Sequence, residues 1–157
     1  MLYRTLYRVL AKLVAIFFNL LNLLLAGNLP PFGSVCMIVE DNGRYLVIQR
    51  SKGRVAFPSG FMRWREHPTQ TVRREGKEET GLDLRAGELV GYSSVVSSHF
   101  SRMSSLMLIY EAEVIGGELR GSVEGKPCWL DEPELRGRMD AQSRQMFDRY
   151  LHYRTQP

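Results

Sequence analysis

Residues 60–82, GFMRWREHPTQTVRREGKEETGL, set four glutamates and an arginine at fixed intervals around one short helix. Pro68 suits the first helical position, because its φ is already helical and its missing N–H has no partner to lose there. Gly81 suits the residue after the last turn, where φ is often positive. Between them Glu75 and Glu79 are spaced i, i+4 and Glu75 and Glu78 i, i+3, so three carboxylates project from one side. Like charges that close raise one another's pKa and destabilise the helix unless something compensates. A divalent cation does so, and oxygen-only ligands select hard metals such as Mg²⁺, which keeps positions for water and substrate phosphates. A solvated Glu/Arg helix face is the competing reading.

The wider spacing separates the two. Gly60, five residues, Glu66, seven residues, Arg74-Glu75, two residues, Glu78-Glu79, one residue, Gly81-Leu82 resembles the Nudix hydrolase box. The resemblance implies a loop-helix-loop that binds Mg²⁺ or Mn²⁺ and hydrolyses the diphosphate bond of a nucleoside diphosphate linked to another group. Carried over by position, it makes Glu75, Glu78 and Glu79 metal ligands, one of them able to act as, or position, the base for the attacking water. Arg74 orients the glutamates and Glu66 braces the loop. Gly60 belongs with the metal set, where it lets the backbone turn tightly. The chain departs from the pattern at Gly76, where a bulky aliphatic is usual, at a cost of about 1 kcal/mol against Ala in a helix interior. Close backbone packing, or a pocket filled by a larger neighbour, accounts for that glycine. His67 replaces the usual small polar cap, Ser59 a common second glycine, and Trp64-Arg65 a turn of Pro-Gly type. Trp64 can stack on a base or pack against the helix, and His67 can touch a phosphate or simply cap.

A chain of 157 residues accommodates one domain plus an appendage. Cys36 and Cys128 lack metal spacing and are too few for a disulfide framework, so both are expected as reduced core residues on a cytosolic face. Net charge is +4, of which Arg4, Arg8 and Lys12 supply three; no charge occurs from Leu13 to Val39 and the rest is nearly balanced. That gives little footprint for nucleic acid. Residues 44–77 hold nine basic side chains against Glu66 and Glu75, a local excess that can attract a phosphorylated ligand or merely solvate loop ends.

Residues 2–26 read as one apolar helix with a narrow polar stripe, Arg4, Arg8, Lys12, Ala15, Asn19 and Asn22. Its uncharged part, residues 13–27, is about 22 Å long, short of the ~30 Å hydrocarbon core. It can lie on an anionic membrane surface, dock on the domain or in a homodimer, span, or be a cleaved signal. Pro30 and Pro31 then mark a linker over residues 28–32, with the domain following from 33 to 157.

Residues 34–40 and 45–50 form a hairpin through Asp41-Asn42-Gly43, and residues 55–57 a short strand. Residues 87–96 and 106–114 are expected as strands around a Ser-rich connection, 97–105, that either closes over a ligand or is a plain hairpin tip. Gly116-Gly117 marks a turn. The segment 124–130 resembles the one that precedes the last helix in many Nudix proteins, where a glutamate often adds a ligand, and Glu124 is the candidate. Trp129 is expected in the core. Residues 140–153 make an amphipathic last helix. The family resemblance, from about 33 to 153, implies an α+β fold: an α/β/α sandwich with a mixed β-sheet, preceded by the N-terminal apolar helix. A nucleotide-type small molecule is the expected partner, at a cytoplasmic or inner-membrane location. A catalytically idle ligand-binding or membrane-tethered interaction domain on the same fold is the alternative. Gly53-Arg54-Val55-Ala56-Phe57-Pro58 faintly resembles the coenzyme A diphosphatase branch, whose longer upstream motif is absent. The proline or tyrosine offsets of the ADP-ribose and diadenosine polyphosphate branches are absent too.

Overall fold

The computed structural model describes residues 2–97 and 99–156; within the first helix, the side chains at 2–4, 7 and 8 are outside the description. Strand β1 (Phe32–Asp41) is the axis of the sheet. Its residues 34–39 are buried without a break, as expected of a strand covered on both faces. Alternation sends Val35, Met37 and Val39 to one face and Cys36 and Ile38 to the other. β1 turns through Asn42 and Gly43, both at positive φ, into β2 (Arg44–Gln49), the two-residue turn that matches the twist of a hairpin. β3 (Val55–Ala56) extends β2, and β4 (Ser59–Phe61) pairs with the first half of β1.

Helix α2 (Pro68–Thr80) follows, then β5 (Leu82–Val95) and β6 (Ser105–Gly117), a long antiparallel pair whose second strand runs parallel to β1. β7 (Lys126–Asp131) returns to β2. The parallel β1–β6 contact inside an otherwise antiparallel arrangement makes the sheet mixed, as expected. α2 covers one face, where Val72 packs with Val35, Met37, Leu46 and Leu84. α3 (Glu132–Arg138) and α4 (Ala141–Arg154) cover the other with Leu135, Met146, Phe147 and Tyr150. The Tyr150 hydroxyl donates to Glu40 at 2.9 Å, tying α4 to the end of β1.

Several boundaries differ from the sequence reading. β5 begins at Leu82 rather than near 87, because Gly81 at φ 78° ends α2 and hands the chain straight to the sheet. Gly116 and Gly117 are no turn between elements: they close β6, paired with Asp83 and Leu82. α3 is an additional helix, capped by the Asp131 side chain and opened by Pro133. β1 starts at Phe32, inside the expected linker.

The first helix, α1 (Leu2–Leu24), docks on the domain, one of the readings left open, through Ala15, Asn19 and Asn22 of its polar stripe and the neighbouring Phe18. Ala15 is buried, Phe18 meets Phe32 edge to face at 4.7 Å, and Asn19 donates to the carbonyls of Phe100 and Arg102. Asn22 accepts from the Leu29 N–H. The connection 96–104 is thereby a hairpin tip held by α1. Arg4 and Arg8 of the stripe lie outside the described side chains. Among the described residues no helix is long and apolar enough to cross a membrane.

Candidate active site

α2 is built to hold its carboxylates still. His67 caps it, accepting from the Thr69 N–H, while the Gln70 side chain accepts from the His67 N–H. His67 is thus a cap. Gly76 faces Leu84, whose Cδ1 lies 2.6 Å from where a Cβ would sit. The larger neighbour does fill the space, and it lets α2 lie close on β5.

Arg74 is the hub of the charged network. It grips Glu66 in a two-point pair at 2.7 and 2.8 Å, reaches Glu75 at 2.5 Å and Glu78 at 3.5 Å, and donates to the Phe61 carbonyl at 2.9 Å. Glu66 in turn accepts from the Arg63 N–H, so the loop between β4 and α2 is braced from both ends, the role expected of this pair. The guanidinium's hydrogen bonds hold the Glu66 carboxyl down at about 2, and Glu66 raises Arg74 reciprocally. Arg63, which the sequence did not single out, bonds Glu78 at 3.0 Å. It belongs to the basic excess of residues 44–77, the one signal that could have flagged it.

Glu79 lies deeper, 3% exposed. Its Oε2 accepts from the Ser59 N–H at 2.9 Å, and its Oε1 is buried without a hydrogen-bond partner. Burial, then the adjacent Glu124 carboxyl, push Glu79 up to about 9, and Glu75 adds to this. Burial also raises Glu75, against the lowering contact with Arg74. Glu124, from the loop between β6 and β7, lies beside Glu79, with Arg50 4.0 Å away. Glu75, Glu78, Glu124, Arg50, Arg63 and Arg74 line one cavity of about 500 Å³, with Ser34, Ser105 and Met107 as its far wall.

Two expectations need correction. Gly60 sits in extended β4 with no positive φ, so no tight turn requires it; a Cβ there would lie 2.0 Å from the Glu75 carboxyl carbon, and the glycine exists to admit that side chain. Trp64 neither packs on the helix nor is partly covered: it is 89% exposed. Trp129 is half-buried on the α2 face, and Cys36 is a buried thiol that burial raises to about 12, with no reactive character.

Glu66, Glu75 and Glu78 are paired with arginines, and among the described residues no three acidic, His or Cys side chains form a ready-made metal cage. The unpartnered oxygen of Glu79, beside Glu124 and Glu75, is the part of the cluster left uncompensated. Its donor chemistry is all carboxylate oxygen, which fits a hard divalent cation and little else.

A mixed-sheet α/β/α sandwich aiming carboxylates from one helix and one loop into a basic-rimmed cavity defines a class of site for polyanionic ligands. The chain belongs to the NUDIX family: the model described as NUDIX domain matches residues 30–150. An ADP-ribose pyrophosphatase of Methanocaldococcus jannaschii is 36% identical over 103 residues, 62% of this chain and 60% of that protein, so the chain spans about 60% of that relative's length. A MutT-like protein of Streptomyces ambofaciens is 33% identical over 115 residues, 70% of this chain and 71% of its own. Among solved structures, the MutT protein of Methanosarcina mazei superposes with TM-score 0.69 at 21% identity, covering 82% of this chain and 99% of that one. A NUDIX hydrolase from Nitrosomonas europaea gives 0.67 at 19%, covering 78% and 90%. At those identities the structures show the shared fold.

Proposed function

We propose that the chain is a hydrolase of phosphorus anhydrides. Within that class it cleaves the diphosphate bond of a nucleoside diphosphate linked to another group, with Mg²⁺ or Mn²⁺, by attack of water at phosphorus. The observation that carries this is the buried, unpartnered Oε1 of Glu79 beside Glu75 and Glu124, two carboxylates that line a cavity with Arg50 and Arg63.

Glu75, Glu78, Glu79 and Glu124 would hold the cation, with Gly60 providing the close backbone. When bound, it supplies Lewis-acid polarisation of a phosphoryl oxygen and acidifies water. The chain's own residues do the rest. Arg74 fixes Glu66 and the Phe61 carbonyl, and so sets the loop and the rotamer of Glu75. Arg50 and Arg63 draw a diphosphate toward the carboxylates and offset its charge. One of the helix carboxylates, Glu75, Glu78 or Glu79, would accept the proton of the attacking water or position that water.

The substrate on this reading is a nucleotide-type small molecule. The basic, apolar α1 makes a peripheral location on the inner face of a membrane part of it. The test is release of phosphate-bearing product by the full chain with Mg²⁺ from a panel of dinucleotides, nucleotide sugars and ADP-ribose. Turnover of at least one member is expected; binding across the panel with no turnover would favour the idle ligand-binding alternative.

A further inference from the structure

α1 is seated inside out. The polar side chains of its second half turn toward the domain beside Ala15 and Phe18: Asn19 bridges two loop carbonyls at 2.9 and 2.8 Å, and Asn22 receives the Leu29 N–H at 3.0 Å. The face turned outward is apolar, with Leu10, Leu13, Phe17, Leu20 and Leu24 exposed. With Leu6, Val9, Val14, Ile16 and Leu23 also exposed, the apolar positions sweep roughly 180° of the helix at 3.6 residues per turn. A surface helix of a globular protein does the reverse, and an apolar face of this breadth marks a contact surface.

Charge and length select the occupant. No acidic residue precedes Glu40, and the only charged residues of α1 are Arg4, Arg8 and Lys12, so a second copy would bring like charges together with no acid on either helix to pair them. Anionic headgroups complement the same charges. The uncharged part is too short to span, so the helix lies in the plane of the surface. The geometry points to a docking surface for an anionic lipid bilayer, on which α1 beds its outer arc while Asn19 and Asn22 stay clamped to the domain. This rests on the peripheral part of the reading above and is independent of the hydrolase part.

The clamp fixes where the cavity stands. Phe17 contacts Phe18, Phe18 contacts Phe32, and Phe32 contacts the cavity residue Phe61, with ring centroids 5.5, 4.7 and 6.2 Å apart. A bedded α1 therefore holds the carboxylate cavity a few ring-widths from the headgroups.

The test is flotation of the full chain, without substrate, on vesicles of phosphatidylcholine alone or with about 30% phosphatidylglycerol. Binding is expected on the anionic vesicles and is expected to weaken with salt. The double variant Leu13→Glu, Leu20→Glu should lose about tenfold or more of it while keeping wild-type turnover; Ile115→Glu, an exposed apolar position on β6, should keep it. Absence of flotation, flotation surviving the double variant, or a solution dimer that the double variant dissolves without any vesicle binding would each overturn the proposal. Hydrogen exchange at the Leu29 amide, protected by Asn22, separates clamped from released: unchanged protection on vesicles is expected, and its loss would refute the clamp.

Discussion

Replacing Glu79 by Gln separates what the buried carboxyl does for the fold from what it does for chemistry. In the folded chain Glu79 is raised from 4.5 to about 9, so between those values the folded state binds a proton that the unfolded chain has released. The sign follows: the stability tied to this proton is complete below 4.5 and is lost as pH rises toward 9. The slope is about 1.4 kcal/mol per pH unit for one proton. Over the roughly three units from 4.5 to 7.5 the cost reaches about 4 kcal/mol. A Gln at 79 imitates the protonated acid: its carbonyl accepts from the Ser59 N–H and its amide can donate toward Glu124. The variant is therefore expected to gain stability over wild type as pH rises. At about 2 to 4 °C per kcal/mol for a chain of this size, that is a Tm advantage near pH 8 of roughly 10 to 20 °C, measured by calorimetry in the presence of a chelator. Its turnover should fall by about 10² to 10⁴, since the cluster loses a carboxyl that can ionise beside a cation. A Tm difference that stays constant from pH 5.5 to 8, or an unchanged rate, would refute the reasoning.

Gly60→Ala should displace the Glu75 carboxyl, because the new Cβ falls 2.0 Å from its carbon; a loss of about tenfold or more in kcat with a stability cost of about 1 to 3 kcal/mol is expected from steady-state kinetics and urea unfolding. Gly76→Ala should destabilise by about 1 to 3 kcal/mol despite alanine's better helix propensity, since Leu84 occupies the space; a stabilised variant in the same unfolding assay would contradict the packing. Glu66, held near 2 by Arg74, contributes stability that is present above 4.5 and lost as pH falls toward 2. Acid titration of wild type against Glu66→Gln should show the extra loss in that window in wild type alone.

The parts of the fold that depend on neighbours in sequence were legible, and those that depend on partners in space were not. Pro68, Gly81 and the Asn42-Gly43 turn act through their own φ, so the ends of α2 and the first hairpin follow from residue identity. The box spacing set Arg74, Glu75 and Glu78 together on one side of α2, because helical periodicity fixes which side chains share a side. Gly60 carries no such signature: its reason is a carboxyl that arrives from α2, 15 residues later in the chain. Arg63 and Arg50 looked like any loop cations until tertiary packing set them opposite Glu78 and Glu124. α1 shows the same limit in reverse. Periodicity found its polar stripe, but only the carbonyls of Phe100 and Arg102 reveal that this stripe faces inward.

The most direct test of the central claim is a Mn²⁺ titration of the full chain followed by electron paramagnetic resonance of the free ion, comparing wild type with Glu79→Gln and Glu124→Gln. Saturable uptake by wild type, weakened by about tenfold or more in both variants, is the predicted result. Equal uptake by all three proteins, or none by wild type, would contradict a cation site built from these carboxylates.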